Sequence, residues 1–202
     1  MSTFFEKINQ RQQEIASLLC VGLDPDPERI PAEFLSQNLP IFAFNKMIID
    51  STKDYACCYK PQFAHFAAAG AEAELVRTID YIQALGIPVI LDAKRGDVGS
   101  TADFYAREAF DRYNADAVTV NPYMGSDSLK PFLERADKGI IFGSKFDTKL
   151  IIWKDIAKYD VDKNNNEIII TCKSNQPIKT IKLKVGKQLK NSILILEQAV
   201  SK

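Results

Sequence analysis

The stretch VILDAKRGDVGST (residues 89–101) opens with three apolar residues and then turns abruptly to charge. Two carboxylates, Asp92 and Asp97, flank two cations, Lys94 and Arg95. The apolar start predicts a strand buried on both faces, as in a parallel sheet. Charges that follow such a strand are solvated in most loops. Their density here raises the alternative of a functional site, which depends on what the neighbouring segments bring to the same place.

Four further apolar runs resemble this one in length, and they lie at 18–24, 56–61, 116–123 and 139–142. Between the runs, the segment 70–86 has helical spacing and closes on Gly86, as helices often do. The segment 100–113 has the same spacing and opens on Ser100, the expected N-cap. Strands alternating with helices form βαβ units. The sequence therefore predicts an α/β fold, a partial (β/α)8 TIM barrel of about five βα units.

Polar residues stand at the carboxyl ends of several predicted strands, where (β/α)8 barrels place their chemistry. They include Asp24, Lys60, Asp92 and Asn121. Asp92 and Lys94 are two positions apart, so on an extended strand they would point to the same side. Lys60, a cation at the end of the neighbouring run, is expected beside them.

A compact array of alternating lysines and aspartates suits one kind of chemistry. Each carboxylate is held ionised by adjacent ammonium groups. A substrate carboxylate placed near Asp92 is repelled, and loss of CO2 removes that repulsion. The adjacent Lys94 can then protonate the carbanion. Such catalysis by differential electrostatics needs no metal and no cofactor, and the array therefore favours decarboxylation.

The composition changes near residue 142. Residues 143–202 contain 12 Lys, no Arg and 6 acidic residues, whereas the first 142 contain 14 basic and 20 acidic residues. Four Ile- and Lys-rich runs in the later segment read as strands separated by short turns. We therefore predict two parts, a partial barrel at 1–142 and a β-rich segment of different origin at 143–202.

Composition also excludes several classes of function. No apolar run approaches the ~20 residues of a membrane span, and the N-terminus lacks the pattern of a secretory signal, so a cytoplasmic protein is expected. The formal net charge of zero gives no reason to expect a nucleic-acid partner. Without a CxxC pair, and with His65 as the single histidine, a zinc site is not predicted. The four cysteines are interpreted as reduced, buried thiols.

The stretch 89–101 resembles the D-x-K-x-x-D signature of orotidine 5'-monophosphate decarboxylases. CVGLDPDPERIP, YKPQFAHF and VTVNPYMGSDSLKPF resemble the bacterial subgroup of longer chains, so the resemblance covers about residues 4–142. It implies the conversion of orotidine 5'-monophosphate to UMP in pyrimidine biosynthesis, without a cofactor. It also implies a homodimer with the active site at the subunit interface.

The resemblance assigns catalytic roles to three residues on two strands. Asp92 would press on the substrate carboxylate, Lys94 would protonate C6, and Lys60 would bridge the ribose and the aspartates. A sister family, the 3-keto-gulonate 6-phosphate decarboxylases, shares the signature but uses magnesium and looks to carry an acid on the second strand. Lys60 occupies that position here, which argues against the metal-using relative.

Three further residues are assigned by the same resemblance. Asp24 would bind ribose hydroxyls. Asp97 would complete the catalytic set by reaching into the neighbouring subunit's site, with Thr101 beside it.

The segment after residue 142 departs from the family pattern. The family closes its barrel with a Gly-x-Arg loop that grips the substrate phosphate, and residues 143–202 contain no arginine. We interpret the chain as a decarboxylase truncated or fused after residue 142, with activity impaired by loss of that grip. The alternative is a catalytically silent remnant that retains only subunit pairing. Lys187 and Lys190, beside Gly186, are the first candidates for a substitute anchor.

Overall fold

The computed structural model describes residues 2–121, 124, 126–143, 148–150, 156–162, 167–172 and 180–184. The helices are α1 (Phe4–Ile15), α2 (Ala32–Leu35), α3 (Pro40–Thr52), α4 (Phe63–Ala68), α5 (Glu72–Ala84), α6 (Gly99–Arg107) and α7 (Ser126–Leu133). The strands are β1 (Leu19–Leu23), β2 (Ala56–Pro61), β3 (Ile90–Arg95), β4 (Ala117–Val120), β5 (Gly139–Gly143), β6 (Thr148–Leu150), β7 (Ile156–Asp162), β8 (Glu167–Cys172) and β9 (Thr180–Lys184).

The first five strands follow the predicted βα order. β1 pairs with β2 in parallel, and parallel bridges from Tyr59 to Val89 and from Gln62 to Asp92 join β2 to the next strand. The sheet then continues in the order β3-β4-β5-β6. The predicted α/β fold with partial barrel units is therefore confirmed.

Two compact units can be distinguished within the chain. The first comprises residues 1–93, 107–119 and 136–139, and the second comprises 94–106, 120–135 and 140–202. The predicted division of the chain at residue 142 stays a prediction.

In the first unit, α5 buries one face. Leu75, Ile79 and Ile82 are fully buried and recur at helical spacing, and burying each such side chain contributes roughly 1.5–3 kcal/mol. The helix ends in a Schellman motif, in which Gly86 has φ 73° and Ile87 N donates to Ile82 O at 3.3 Å. The predicted closure on Gly86 is confirmed, because only glycine adopts this backbone conformation without steric cost.

The first helix docks on the start of β5. Phe4 is 1% exposed, and its N–H donates to Asp137 O at 2.8 Å. A Cβ added to Gly139 would collide with the Phe4 ring and would lie 2.7 Å from the Cβ of Ala117. The helix begins with a capping box between Thr3 and Glu6. Glycine at position 139 thus makes room for the first aromatic side chain of α1.

A buried carboxylate ties together the amino ends of the strands. Asp116, which immediately precedes β4, is 4% exposed. It accepts hydrogen bonds from Lys7 Nζ at 2.6 Å, Gln83 Nε2 at 3.2 Å and Val89 N at 3.0 Å. One side chain therefore connects α1, α5 and the β3 region. In (β/α)8 barrels this end of the strands serves stability rather than catalysis.

In the second unit, the start of α6 corrects one prediction. The helix begins at Gly99, so Ser100 lies in its first turn and is not the N-cap. The N–H of Gly99 donates to Asp127 Oδ2 at 3.2 Å. A carboxylate from the start of α7 therefore accepts from the helix start in place of the predicted serine.

The described parts of the C-terminal segment are strands, as predicted. β6 pairs antiparallel with β5, and β7, β8 and β9 form an antiparallel meander. β8 lies within the predicted run at 166–174 and β9 within the run at 178–185. β7 lies almost entirely between the predicted runs at 149–156 and 166–174. The predicted strand at 191–198 and the proposed anchors Lys187 and Lys190 lie outside the described residues.

Candidate active site

The carboxyl ends of β2 and β3 bring two predicted site residues into contact. Lys60 Nζ lies 2.6 Å from Asp92 Oδ2, with side-chain exposures of 32% and 7%. The parallel bridge between Gln62 and Asp92 sets this register. Because parallel strands end at the same edge of a sheet, the ammonium on one strand and the carboxylate on the next point into one place. The sequence predicted this neighbourhood.

Asp92 receives donors on both of its oxygens. Gln62 Nε2 donates to Oδ2 at 3.2 Å, in addition to Lys60. Thr119 Oγ1 on β4 donates to Oδ1 at 2.8 Å. These three donors fix the orientation of the carboxylate, and the bond from the ammonium is charge-assisted. The site therefore presents a buried, oriented negative charge beside a half-exposed positive one.

Gln62 links three chain segments at the mouth of this site. Its N–H donates to Leu23 O at 3.0 Å, which joins it to the end of β1. Its Oε1 accepts from Ala64 N at 3.4 Å and caps α4. Lys60 and Gln62 are two positions apart, so the alternation of an extended chain points both toward Asp92.

Asp24 follows β1 directly and is exposed. Within the described part of the chain, no hydrogen bond or ion pair joins it to Lys60 or Asp92. The adjacent loop is tied to α4 because His65 Nδ1–H donates to Pro25 O at 2.9 Å. His65 thus has a structural contact that joins α4 to the loop after β1.

In the second unit, Lys94 has an unexpected backbone conformation. Its φ is 47°, in the left-handed region, which costs a non-glycine residue roughly 1–2 kcal/mol. The prediction that Lys94 points to the same side as Asp92 assumed extended backbone throughout, and that assumption is wrong. Strained residues of this kind cluster at functional sites.

The loop after Lys94 lies close to Asn121, which belongs to the same unit. Asn121 N donates to Arg95 O at 2.6 Å, and a Cβ added to Gly96 would lie 3.1 Å from both Cβ and O of Asn121. Glycine is therefore the residue that fits at position 96. The Arg95 guanidinium lies 4.4 Å from the centroid of the Tyr105 ring, a cation–π arrangement.

Asp97 and Thr101 lie where the loop enters α6. Asp97 is half-buried, and its Oδ1 accepts from Val98 N at 2.8 Å. Thr101 is exposed in the first turn of the helix. Their expected role in a neighbouring subunit's site stays a prediction.

One thiol differs from the sequence interpretation of buried cysteines. Cys57 and Cys58 are buried, but Cys20 is exposed. Cys20 lies opposite Cys58 in the β1–β2 register. A hydrogen bond from Cys58 lowers the pKa of Cys20, with a smaller contribution from the Lys60 ammonium, and burial opposes both. Cys20 is thus a solvent-exposed position of β1.

Sequence reasoning missed Thr119, Gln62 and Cys20 as parts of this neighbourhood. The available signals were a hydroxyl inside the apolar run at 116–123 and an amide in phase with Lys60. Among the described residues, no group of three or more His, Cys, Asp or Glu is arranged to hold a metal ion. No described helix has both the length and the apolar character of a membrane span.

The sequence and the structure both resemble known proteins. The sequence profile of the orotidine 5'-phosphate decarboxylase / HUMPS family matches residues 17–197. Orotidine 5'-phosphate decarboxylase of Ralstonia pickettii is 56% identical over 140 residues, 68% of this chain and 52% of the relative. The chain thus spans about half the length of the curated relatives it matches.

Two solved structures from Leishmania donovani are similar in fold. UMP synthase gives a TM-score of 0.62 at 44% identity, covering 70% of this chain and 30% of the other. OMP decarboxylase gives 0.61 at 45% identity, covering 69% and 52%.

Proposed function

The chain belongs to the orotidine 5'-phosphate decarboxylase / HUMPS family, and we propose that it converts orotidine 5'-monophosphate to UMP and CO2 in pyrimidine biosynthesis. The observation that carries the proposal is the contact between Lys60 and Asp92, in which a buried carboxylate is oriented by three donors. The D-x-K-x-x-D spacing that begins at Asp92 supports it further.

Asp92 acts by electrostatic repulsion. A substrate carboxylate placed about 4 Å from it would be destabilised by roughly 4 kcal/mol at an effective dielectric constant of 20. Departure of CO2 moves the negative charge from the carboxylate onto C6, where proton transfer from Lys94 neutralises it. The repulsion therefore falls on the ground state and accelerates the step. Lys60, 2.6 Å away, holds the Asp92 carboxylate in place while this occurs.

Lys94 completes the reaction as the proton donor. Cleavage of the bond between C6 and the carboxylate carbon leaves the electron pair on C6. The Lys94 ammonium donates its proton to that carbon, and the neutral amine recovers a proton from water. No cofactor enters this scheme.

The remaining roles belong to binding. Asp24 at the end of β1 binds the ribose hydroxyls, and Asp97 with Thr101 completes the site of a second subunit in a homodimer. The protein acts in the cytoplasm, without nucleic acid or membrane. The family resemblance supports these assignments.

The contact between Lys60 and Asp92 also favours this reaction over a magnesium-dependent one. Magnesium requires oxygen ligands in near-octahedral geometry. Here the Lys60 ammonium lies 2.6 Å from the carboxylate and supplies the positive charge itself. A divalent ion beside Asp92 would therefore face a like charge.

A second candidate follows from the absence of arginine in residues 143–202. A chain without a phosphate grip would bind subunits of its own kind and not turn over substrate. One lost charge-assisted contact to a phosphate costs roughly 1.5–3 kcal/mol, and loss of a closing loop adds the loss of orientation and water exclusion.

A spectrophotometric assay of the purified chain with excess orotidine 5'-monophosphate separates the two candidates. We expect turnover slower than that of a full-length relative, abolished in Lys94→Ala and retained in Arg95→Ala. Arg95 is the matched control because it is the adjacent cation but stacks on Tyr105. Turnover no greater than that of Lys94→Ala would reject the decarboxylase and favour the pairing remnant.

A further inference from the structure

We propose that Thr119 is a positioning residue that fixes the orientation of the Asp92 carboxylate. Its catalytic consequence rests on the proposed function, whereas the positioning itself does not. Thr119 lies on β4, where all four residues are buried, and it is 4% exposed. Its hydroxyl donates to Asp92 Oδ1 at 2.8 Å.

The two sides of the Asp92 carboxylate are held by different strands. Lys60 and Gln62 approach Oδ2 from β2 and the residue that follows it. Thr119 approaches Oδ1 from β4 on the other side of β3. The terminal torsion of aspartate has a broad energy profile, so donors on one oxygen alone leave rotation of the carboxylate weakly restrained. The hydrogen bond from Thr119 restrains it from the opposite side.

The hydroxyl of Thr119 is not required for strand packing. Valine has nearly the same shape and an equal preference for strands, and both neighbours on β4, Val118 and Val120, are valines. Threonine adds a hydroxyl that can donate a hydrogen bond, and in Thr119 this hydroxyl donates to Asp92. In a reaction that depends on repulsion by a fixed charge, a rotated carboxylate loses effect on the chemical step more than on binding.

The matched control is Thr78. Its side chain is also fully buried, but its hydroxyl donates to Glu74 O at 2.7 Å within α5. Thr78→Val therefore removes a buried threonine hydroxyl without altering the surroundings of Asp92. This variant therefore measures the effect of removing a buried threonine hydroxyl that does not contact Asp92.

The test compares Thr119→Val, Thr119→Ser and Thr78→Val in the full chain. The ¹³Cγ resonance of Asp92, assigned with Asp92→Asn, should shift or broaden in Thr119→Val, return in Thr119→Ser and stay unchanged in Thr78→Val. With orotidine 5'-monophosphate, kcat should fall about ten-fold in Thr119→Val with KM changed less than about two-fold. Thr119→Ala provides the same comparison if Thr119→Val does not fold.

The NMR measurement tests the positioning role and the kinetic measurement tests the proposed function, so the two can fail separately. An unaltered Asp92 resonance in Thr119→Val, or an equal change in Thr78→Val, would overturn the positioning role. A chain without turnover whose Asp92 resonance nevertheless responds as expected would retain Thr119 as the positioning residue and reject the proposed function. A rise in KM at constant kcat would assign Thr119 to substrate binding and overturn the proposal.

Discussion

The ammonium of Lys60 and the carboxylate of Asp92 meet at 2.6 Å, although the lysine side chain is 32% exposed and the aspartate side chain 7%. This asymmetry matters because the buried partner depends on the contact more than the solvated one. Removing a cation from a buried carboxylate leaves a charge that water reaches poorly.

Lys60→Met should lower the free energy of unfolding by about 1–3 kcal/mol, since partial exposure of the pair moderates the cost of a fully buried one. In a double-mutant cycle with Asp92→Asn, the coupling should be about 1–2 kcal/mol. Urea unfolding measures both. The exposed pair Lys46–Asp50, also at 2.6 Å, is the control and should show a smaller coupling. Equal couplings for the two pairs would refute the importance of burial.

Gly139→Ala should destabilise the first unit. The new methyl group would collide with the Phe4 ring and lie 2.7 Å from Ala117 Cβ, between side chains that are 1% and 0% exposed. Overpacking of this kind costs about 1–3 kcal/mol. Gly22→Ala, whose methyl would meet only Asp24 Oδ1 at 3.8 Å, should change the thermal midpoint much less. Equal thermal midpoints for the two variants would contradict the close approach of Phe4 on α1 to Gly139.

Asp116→Ala should cost more stability than Lys7→Met. The first change leaves the buried Val89 N–H without its acceptor, which costs about 1–3 kcal/mol. The second removes an ammonium that is 45% exposed from a carboxylate that is 5% exposed. Asp116 keeps its hydrogen bonds from Gln83 and Val89, so the cost should be about 1 kcal/mol. Chemical denaturation measures the free energy of unfolding of both variants. The reverse order would contradict the conclusion that the Asp116 side chain connects α1, α5 and the β3 region.

Cys20 should be alkylated at lower pH than an ordinary thiol. Its pKa is lowered mainly by hydrogen bonding with the neighbouring Cys58 thiol, and the thiolate is the reactive form. Cys58→Ala removes the donor, so the pKa of Cys20 should rise and iodoacetamide should react more slowly at neutral pH. Cys58→Ser retains a donor and serves as the control. Peptide mapping across a pH series identifies the modified cysteine; identical profiles for both variants would exclude this hydrogen bond as the cause.

The contact between Lys60 and Asp92 was predictable because it follows from strand order alone. Apolar runs ending in charge indicate parallel strands, and parallel strands end together. Gln62 could have been added from its spacing to Lys60. Thr119 gave a weaker signal, because threonine is also a favoured residue of strands for its shape alone.

The backbone conformation at Lys94 could not be predicted from the residue pattern. Positive φ is expected of glycine, and a lysine at 47° is imposed by its surroundings rather than by its own preference. β7 was missed for another reason. Its Tyr159 and Val161 alternate with charged residues, a pattern typical of a half-exposed strand but weak beside the longer apolar runs that flank it.

The docking of α1 has a consequence for synthesis on the ribosome. Lys7 meets a partner 109 positions later in the chain, and Phe4 packs against a glycine that follows still later. Translation delivers about 5–20 residues per second, so the helix emerges many seconds before the surface it covers. During that interval the apolar face formed by Phe4 and Ile8 is not yet covered by its later partners. A chaperone that binds exposed apolar segments would therefore find a binding site at the very start of the nascent chain.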